Sequence, residues 1–581
     1  MAKAKKGFCI ACKREGLNCD KAKPRCAKCK DRKVKCLYAL KLSWGGRPYK
    51  NKKVESTLPN TVFSNGALVV KKNVLPGNDR SVKAKQFFRF DQSCHKTARD
   101  YPKMKVCDLK KTAPECLSAE VNASPEHIMS VQKVHYAPNN IYKIKMVNKD
   151  LSWEHMTLFK FFVEETCDFF VPIRSKSHIS PYRTTLPRMA MHCSSLRKLV
   201  IAFGAKHRKM LSISEEENKY QSLDDVGDHS MNFESIGNEL LKQALRELAD
   251  KSMENADFNE ETLAIALLMS NLHICFSDGR GDWRTHYHEA KELIRKKLTC
   301  EPDKGDHLIS LREYTDPRDF LLRWYTYLDV IGLLSSVNLP SKCDQSLTPI
   351  IRFESGSNEI LLRQSMEEMK DISFSNGMDI KVMAYLTQIS TFLSQKSAFA
   401  TQGKLHDFIY AAVKLDFEIN DYLTSSEQER DVIFKEKFSD NTHKNRFPGK
   451  VKDYLLMRSI NLVFGLSGVL QLRRRVLDMP SDAHLVSSLI LQITNLIGEN
   501  ISVSSPSLPC LSFCLFTCGC ELTDKAWDPY RYIYRERLDA LWKKGLASAL
   551  QARQVMEECW TSKLPWWQVL EKRNLDICFA I

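Results

Sequence analysis

Apolar positions recur every three or four residues from Leu151 onward, in stretches separated by short polar breaks, which is the period of helices with one buried face. The clearest stretch runs from Asp316 to Ser336. There Phe320, Trp324, Tyr327, Leu328, Ile331 and Leu334 form one stripe, and Pro317 sits where a first helical turn tolerates it. Similar stripes cover residues 153–170, 186–210, 233–249, 262–276, 283–298, 380–393, 451–477, 485–497 and 529–560. Alternation with period two, the mark of a half-buried strand, is scarce. These patterns predict that residues 151–581 form one all-α domain or two packed helical subdomains, with no repeat length regular enough for a solenoid.

Before residue 151 the pattern fails. Residues 51–150 are rich in Lys, Asn, Ser and Pro with no sustained helical period, and read as a basic linker with local structure. No run of three or four heptads with apolar a and d positions appears, so dimerisation, if it occurs, must come from elsewhere than a coiled coil. The expected organisation is a small module at 1–50, the linker at 51–150 and the helical domain at 151–581, a mostly α chain. Its 581 residues and 43% hydrophobic content supply ample material for a core. The start Met-Ala-Lys-Ala-Lys-Lys lacks an apolar leader, and no uninterrupted apolar run approaches the ~18 residues that cross a bilayer. The expectation is a soluble, intracellular protein with no membrane partner.

The first module is defined by cysteine. Cys9, Cys12, Cys19, Cys26, Cys29 and Cys36 read C-x2-C-x6-C-x6-C-x2-C-x6-C, a duplicated half-motif. Thiolates in two-residue pairs suit tetrahedral Zn(II). Two such ions need eight sulfur positions, which six cysteines supply only if two thiolates bridge both metals. Fourteen cysteines remain elsewhere in apolar segments, and a reducing compartment would keep them as buried free thiols.

Charge changes the picture further. Residues 1–53 hold 18 Lys/Arg against three Asp/Glu, a balance of +15, whereas the other 528 residues carry 69 against 67. Six thiolates around two divalent ions subtract only two. A cationic patch so concentrated is the footprint of a phosphate backbone.

The six-cysteine module resembles the fungal binuclear zinc cluster transcription factors, over roughly residues 7–50. The resemblance implies two Zn2+ per chain, with the first and fourth cysteines, Cys9 and Cys26, as bridges, and Pro24 in the loop joining the halves. It also implies binding to double-stranded DNA at short CGG-like triplets. Family members usually carry the basic run between the second and third cysteines. Here Lys13-Arg14-Glu15-Gly16-Leu17-Asn18 is weakly basic, while Lys30-Asp31-Arg32-Lys33-Val34-Lys35 is strongly so, and Lys41 follows the last cysteine. Lys13, Arg14, Lys30, Arg32, Lys33, Lys35 and Lys41 are therefore the candidate DNA contacts, the second half either entering the groove or touching phosphates alone. Further along, residues 282–294, the helix at 320–336 and the Gly519-Cys520-Glu521 turn are similar to the fungal-specific regulatory domain of the amino-acid-metabolism subgroup.

Other motifs give way to plainer readings. Cys510, Cys514, Cys518 and Cys520 lie in an apolar stretch without histidine and predict a buried helix. His286-x-His288-Glu289 lacks the second histidine that a metalloprotease helix requires. The acidic residues Glu215 to Asp228 read as a solvated loop rather than an activation surface. No phosphate loop, nucleophile elbow or dinucleotide fingerprint supports an enzyme. The expected function is a nuclear, sequence-specific regulator of RNA polymerase II genes of metabolism that engages transcription machinery or co-regulators. The alternative is a chromatin or kinetochore-type interaction protein that keeps the cluster as a docking module.

Overall fold

The structure, a computed structural model, describes residues 11–12, 18–20, 22, 26–32 and 34, then 53–55, 61–64 and 67–70, and 151–581 apart from 175–179, 220–231, 253–258, 278, 301–315, 338–358 and 439–447. The chain divides into two compact units, Met1–Lys52 with Ser93–Lys103, and Lys53–Gln92 with Met104–Ile581. In the first unit the described helix is α1 (Ala27–Asp31).

The second unit opens with an antiparallel meander of β1 (Lys53–Glu55), β2 (Thr61–Ser64) and β3 (Ala67–Val70). Val54 lies opposite Phe63 and Val62 opposite Val69. The local structure expected in the linker is thus, in part, a small sheet, built where Val, Thr and Phe favour an extended chain.

Among the described residues, the helical part comprises α2 (Trp153–Glu164), α3 (Pro181–His192), α4 (Ser194–Lys219), α5 (Phe233–Ser252), α6 (Glu260–Phe276), α7 (Trp283–Cys300), α8 (Pro317–Ser335), α9 (Glu359–Glu368), α10 (Ile380–Thr401), α11 (Leu405–Phe438), α12 (Pro448–Gln471), α13 (His484–Asn500), α14 (Ser512–Cys520), α15 (Asp528–Lys543), α16 (Ala547–Ser562) and α17 (Trp566–Lys572). α8 begins as its sequence suggests. The Asp316 carboxylate accepts from the Arg318 backbone N–H at 3.0 Å, and Pro317 occupies the first turn, where its missing N–H costs nothing. Two expected stripes are each a pair of helices. The 186–210 stripe breaks at Cys193, which turns extended between α3 and α4. The 529–560 stripe breaks between α15 and α16 at Gly545, with φ +84°. A Cβ there would stand 2.8 Å from the His207 ring, so glycine allows the turn to approach that ring closely.

One continuous apolar core links Leu158 to Ile581. Its central element is the helical run Gly449–Val476, long and apolar enough to cross a membrane by length and composition, yet with 89% of its most apolar stretch buried inside the protein. This run also carries charge inward. Arg458 donates to Glu427 and Asp431, and Arg430 donates to Asp371, Asp379 and Glu427, all of them buried. Beyond α12 the chain widens into a π-helical turn, Leu472–Val476, with three consecutive arginines. Arg473 pairs with Asp416 of α11, and Arg474 with Glu521 at the end of α14. Arg475 donates to the carbonyls of Leu334 and Ser336, both at 2.8 Å, capping the end of α8. One irregular turn thereby ties α12 to three other elements.

Candidate metal centre and nucleic-acid interface

α1 starts at Cys26, whose carbonyl accepts from the N–H groups of Cys29 at 3.1 Å and Lys30 at 3.0 Å. A two-residue spacing at a helix start turns both thiols to one side. Cys12 comes from 14 residues upstream to meet them: its sulfur lies 3.6 Å from that of Cys26 and 3.8 Å from that of Cys29. These separations are too long for a disulfide, whose sulfurs sit about 2.05 Å apart. They match the edge of a tetrahedron of thiolates around one ion, which is about 3.8 Å for metal–sulfur bonds of about 2.3 Å. The sulfurs of Cys12, Cys26 and Cys29 form one group with ligand atoms within 4.8 Å of one another, and Cys19, Asp20 and Cys26 form a second. Cys26 belongs to both. All four cysteines are buried, Cys26 completely.

Cys12, Cys19, Cys26 and Cys29 therefore form a candidate metal-binding cluster whose donor set and spacing fit a thiolate-bound ion. Cys9 and Cys36 lie outside the described residues. So do Lys13, Arg14, Lys33, Lys35 and Lys41 among the expected DNA contacts. Lys30 and Arg32 are placed on and just after α1, exposed to solvent. The sequence reading passed over two residues here. Asp20 holds the helix start, its two carboxylate oxygens accepting from the Ala27 N–H at 3.2 and 3.1 Å. Seven residues separate donor from acceptor, so no local capping pattern signals it. Lys28, inside the Cys26–Cys29 loop, is exposed and lies four residues from Arg32, which puts the two on one side of the helix.

The second cysteine group behaves as a helix interior. Cys510, Cys514, Cys518 and Cys520 are buried in and just before α14. Burial pushes the Cys518 thiol up to about 12, although the Tyr534 hydroxyl donates to its sulfur at 3.0 Å. His286 stacks on His273 with ring centres 5.4 Å apart and bonds Glu289 at 2.9 Å, a surface arrangement of helix neighbours. Residues 220–228 of the acidic stretch lie outside the described residues.

With this geometry in place, comparison with known proteins assigns the larger part of the chain. The family described as the fungal specific transcription factor domain matches residues 157–580, and the chain belongs to that family. The family places it among transcription regulators. No curated protein and no solved structure matches it.

Proposed function

We propose that this protein is a nuclear, sequence-specific DNA-binding regulator of RNA polymerase II genes of metabolism, organised as a zinc module at 1–50, a basic linker at 51–150 and a helical regulatory domain at 151–581. The observation that carries the reading is the position of Cys26, common to two groups of potential ligands and immediately before the lysine-bearing helix α1. Cys9, Cys12, Cys19, Cys26, Cys29 and Cys36 hold two Zn2+ ions, with Cys9 and Cys26 shared. Bound zinc supplies folding free energy and no redox chemistry. The helix then presents Lys28, Lys30 and Arg32 to the DNA, with Lys33, Lys35, Lys41, Lys13 and Arg14 as further contacts. Charge concentrated at +15 in the first 53 residues favours a polyanion there and leaves the helical domain free for effectors or co-regulators.

The test is selection of bound sequences from random duplex DNA by the full chain, alongside metal analysis. The expected result is enrichment of CGG-like triplets and two zinc ions per chain. Enrichment that survives substitution of Cys26 by Ala, or binding of one zinc or none, would sink the reading.

A further inference from the structure

The pairing of the β1–β3 meander sorts its residues by face. Directly opposed residues of an antiparallel pair share a face, and successive residues of a strand alternate between faces. With Val54 opposite Phe63, Phe63 opposite Leu68 and Thr61 opposite Val70, one face carries Val54, Thr61, Phe63, Leu68 and Val70. The other carries Lys53, Glu55 and Ser64 besides Val62, Ala67 and Val69. The first face is apolar but for one threonine, whereas the second mixes in two charges and a serine. Strands of three or four residues are shorter than the usual five or six, and so small a sheet gains stability only by burying an apolar face. The structure supplies a surface for this: β3 lies against α11 and α13, within the same compact unit.

We propose that the meander is a docking clip whose apolar face seats on α11 and α13, fixing the point at which the cysteine module is tethered to the helical domain. Without the clip, the tether runs from Cys36 to the start of α2 at Trp153, 117 residues further along the chain. With it, the tether ends at Lys53 of β1, 17 residues along. At no more than about 3.5 Å per residue, the covalent reach of the module falls from about 400 Å to about 60 Å. The consequence rests on the DNA-binding reading: a short tether limits how far from the bound base pairs the helical domain can act and raises its effective concentration there. Docking itself is a property of the chain without DNA.

Hydrogen exchange read by peptide mass spectrometry, on the zinc-loaded full-length protein without DNA, tests the clip. Amides of β2 and β3 should exchange at least about tenfold more slowly than those of an unstructured peptide. Phe63→Asp, which puts a charge in the apolar face, should abolish that protection while α11 and α13 keep theirs. Ser64→Asp, on the other face and opposite Lys53, should retain it. Small-angle X-ray scattering on the same proteins should give a larger maximum dimension for Phe63→Asp than for the wild type or Ser64→Asp. Unprotected strands in the wild type, equal protection in the two variants, or a maximum dimension unchanged by Phe63→Asp would overturn the proposal. Absence of sequence-selective DNA binding by a wild type that passes these tests would instead sink the regulator reading and leave the clip standing.

Discussion

Arg458 grips Glu427 with two hydrogen bonds, 2.9 Å from Nε and 2.7 Å from a terminal nitrogen, and neither side chain reaches solvent. The other oxygen of the same carboxylate accepts from Arg430 at 2.8 Å. Glu427 is thus the anion between two buried cations. Burial works against the charge on Arg430, but Asp371, Glu427 and Asp379 outweigh it and hold the guanidinium well above its ordinary range. The surplus negative charge is absorbed by neutral donors, Tyr454 to Asp371 at 2.8 Å and Asn461 to Asp379 at 2.9 Å. Asp379 also caps α10 by accepting from the Val382 N–H.

Removal of the central anion takes away the carboxylate that joins the two guanidiniums. Arg430 is left with Asp371 and Asp379 and Arg458 with Asp431, and the hydrogen-bond donors that faced Glu427 are buried without an acceptor. We expect Glu427→Ala to lower the stability of the helical domain by about 3–5 kcal/mol, the usual cost of uncompensating a buried ion pair. Urea denaturation followed by circular dichroism measures it. A loss below about 1 kcal/mol, the range of a surface pair, would show that the network is hydrated.

His207 predicts a pH dependence. Its Nε2 lies 2.9 Å from the Lys544 carbonyl, which can only accept, so that nitrogen carries the proton and Nδ1 accepts from the Thr166 hydroxyl at 2.9 Å. The ring is neutral and enclosed by Phe161, Phe169 and Phe276. Burial pushes its pKa down to about 4 from 6.5. As pH falls from 6.5 to 4 the unfolded chain takes up a proton that the native protein does not. Stability is therefore full above 6.5, declines through that window by about 3 kcal/mol, and gains no further loss from this group below 4. His207→Gln should remove that part of the decline, read as the difference between the two stability profiles. Parallel profiles would contradict the assignment.

The same residues explain what the sequence made legible. α8 was readable because its apolar side chains share one stripe and Asp316-Pro317 marks its start. α11 was not, although it spans 34 residues. Its apolar residues divide between a buried face, with Phe408, Leu415 and Ile419, and an exposed side, with Leu405, Ile409 and Phe417, while Asp416, Glu427, Arg430 and Asp431 are buried, so the periodic signal cancels. The meander was missed because its strands are three or four residues long, too short to show alternation. Asn65-Gly66 between β2 and β3 was the available clue, a dipeptide favoured in two-residue hairpins. In the cysteine module, spacing singled out Cys12, Cys19, Cys26 and Cys29, which the structure brings together, but Asp20 at the start of α1 depends on a contact seven residues away, which no local pattern encodes.

Thiol reactivity should separate the two cysteine populations. Burial raises the thiols of Cys167, Cys275, Cys514 and Cys578, the last to about 12, so they are protonated and inaccessible at neutral pH. With the native protein, iodoacetamide should reach none of these four. Chelator should expose Cys12, Cys19, Cys26 and Cys29 to labelling while those of the helical domain stay silent, since that domain's core contains none of the cluster residues. Peptide mass mapping reads the outcome. Simultaneous labelling of both sets after chelation would mean that the helical fold depends on the metal.

The final prediction concerns the two halves of the cysteine module. Lys28 and Arg32 lie on one side of α1, and Lys30, two residues from each, points elsewhere. A side chain bonded to a base edge contributes about 1–3 kcal/mol of discrimination, whereas one that neutralises phosphate weakens every sequence alike and lowers the salt slope by about one unit. Alanine at Lys30 and at Arg32 should therefore give different outcomes, one relaxing preference at one or two base positions and the other shifting affinity uniformly. Lys28→Ala should follow Arg32→Ala. Lys13 and Arg14, offset by Glu15 in a weakly basic segment, should change affinity with little change of preference. Competition binding against the selected site and its single-base variants, repeated across salt concentrations, reads both quantities at once. Specificity lost only at Lys13 or Arg14 would place the first half in the groove and leave α1 on the backbone.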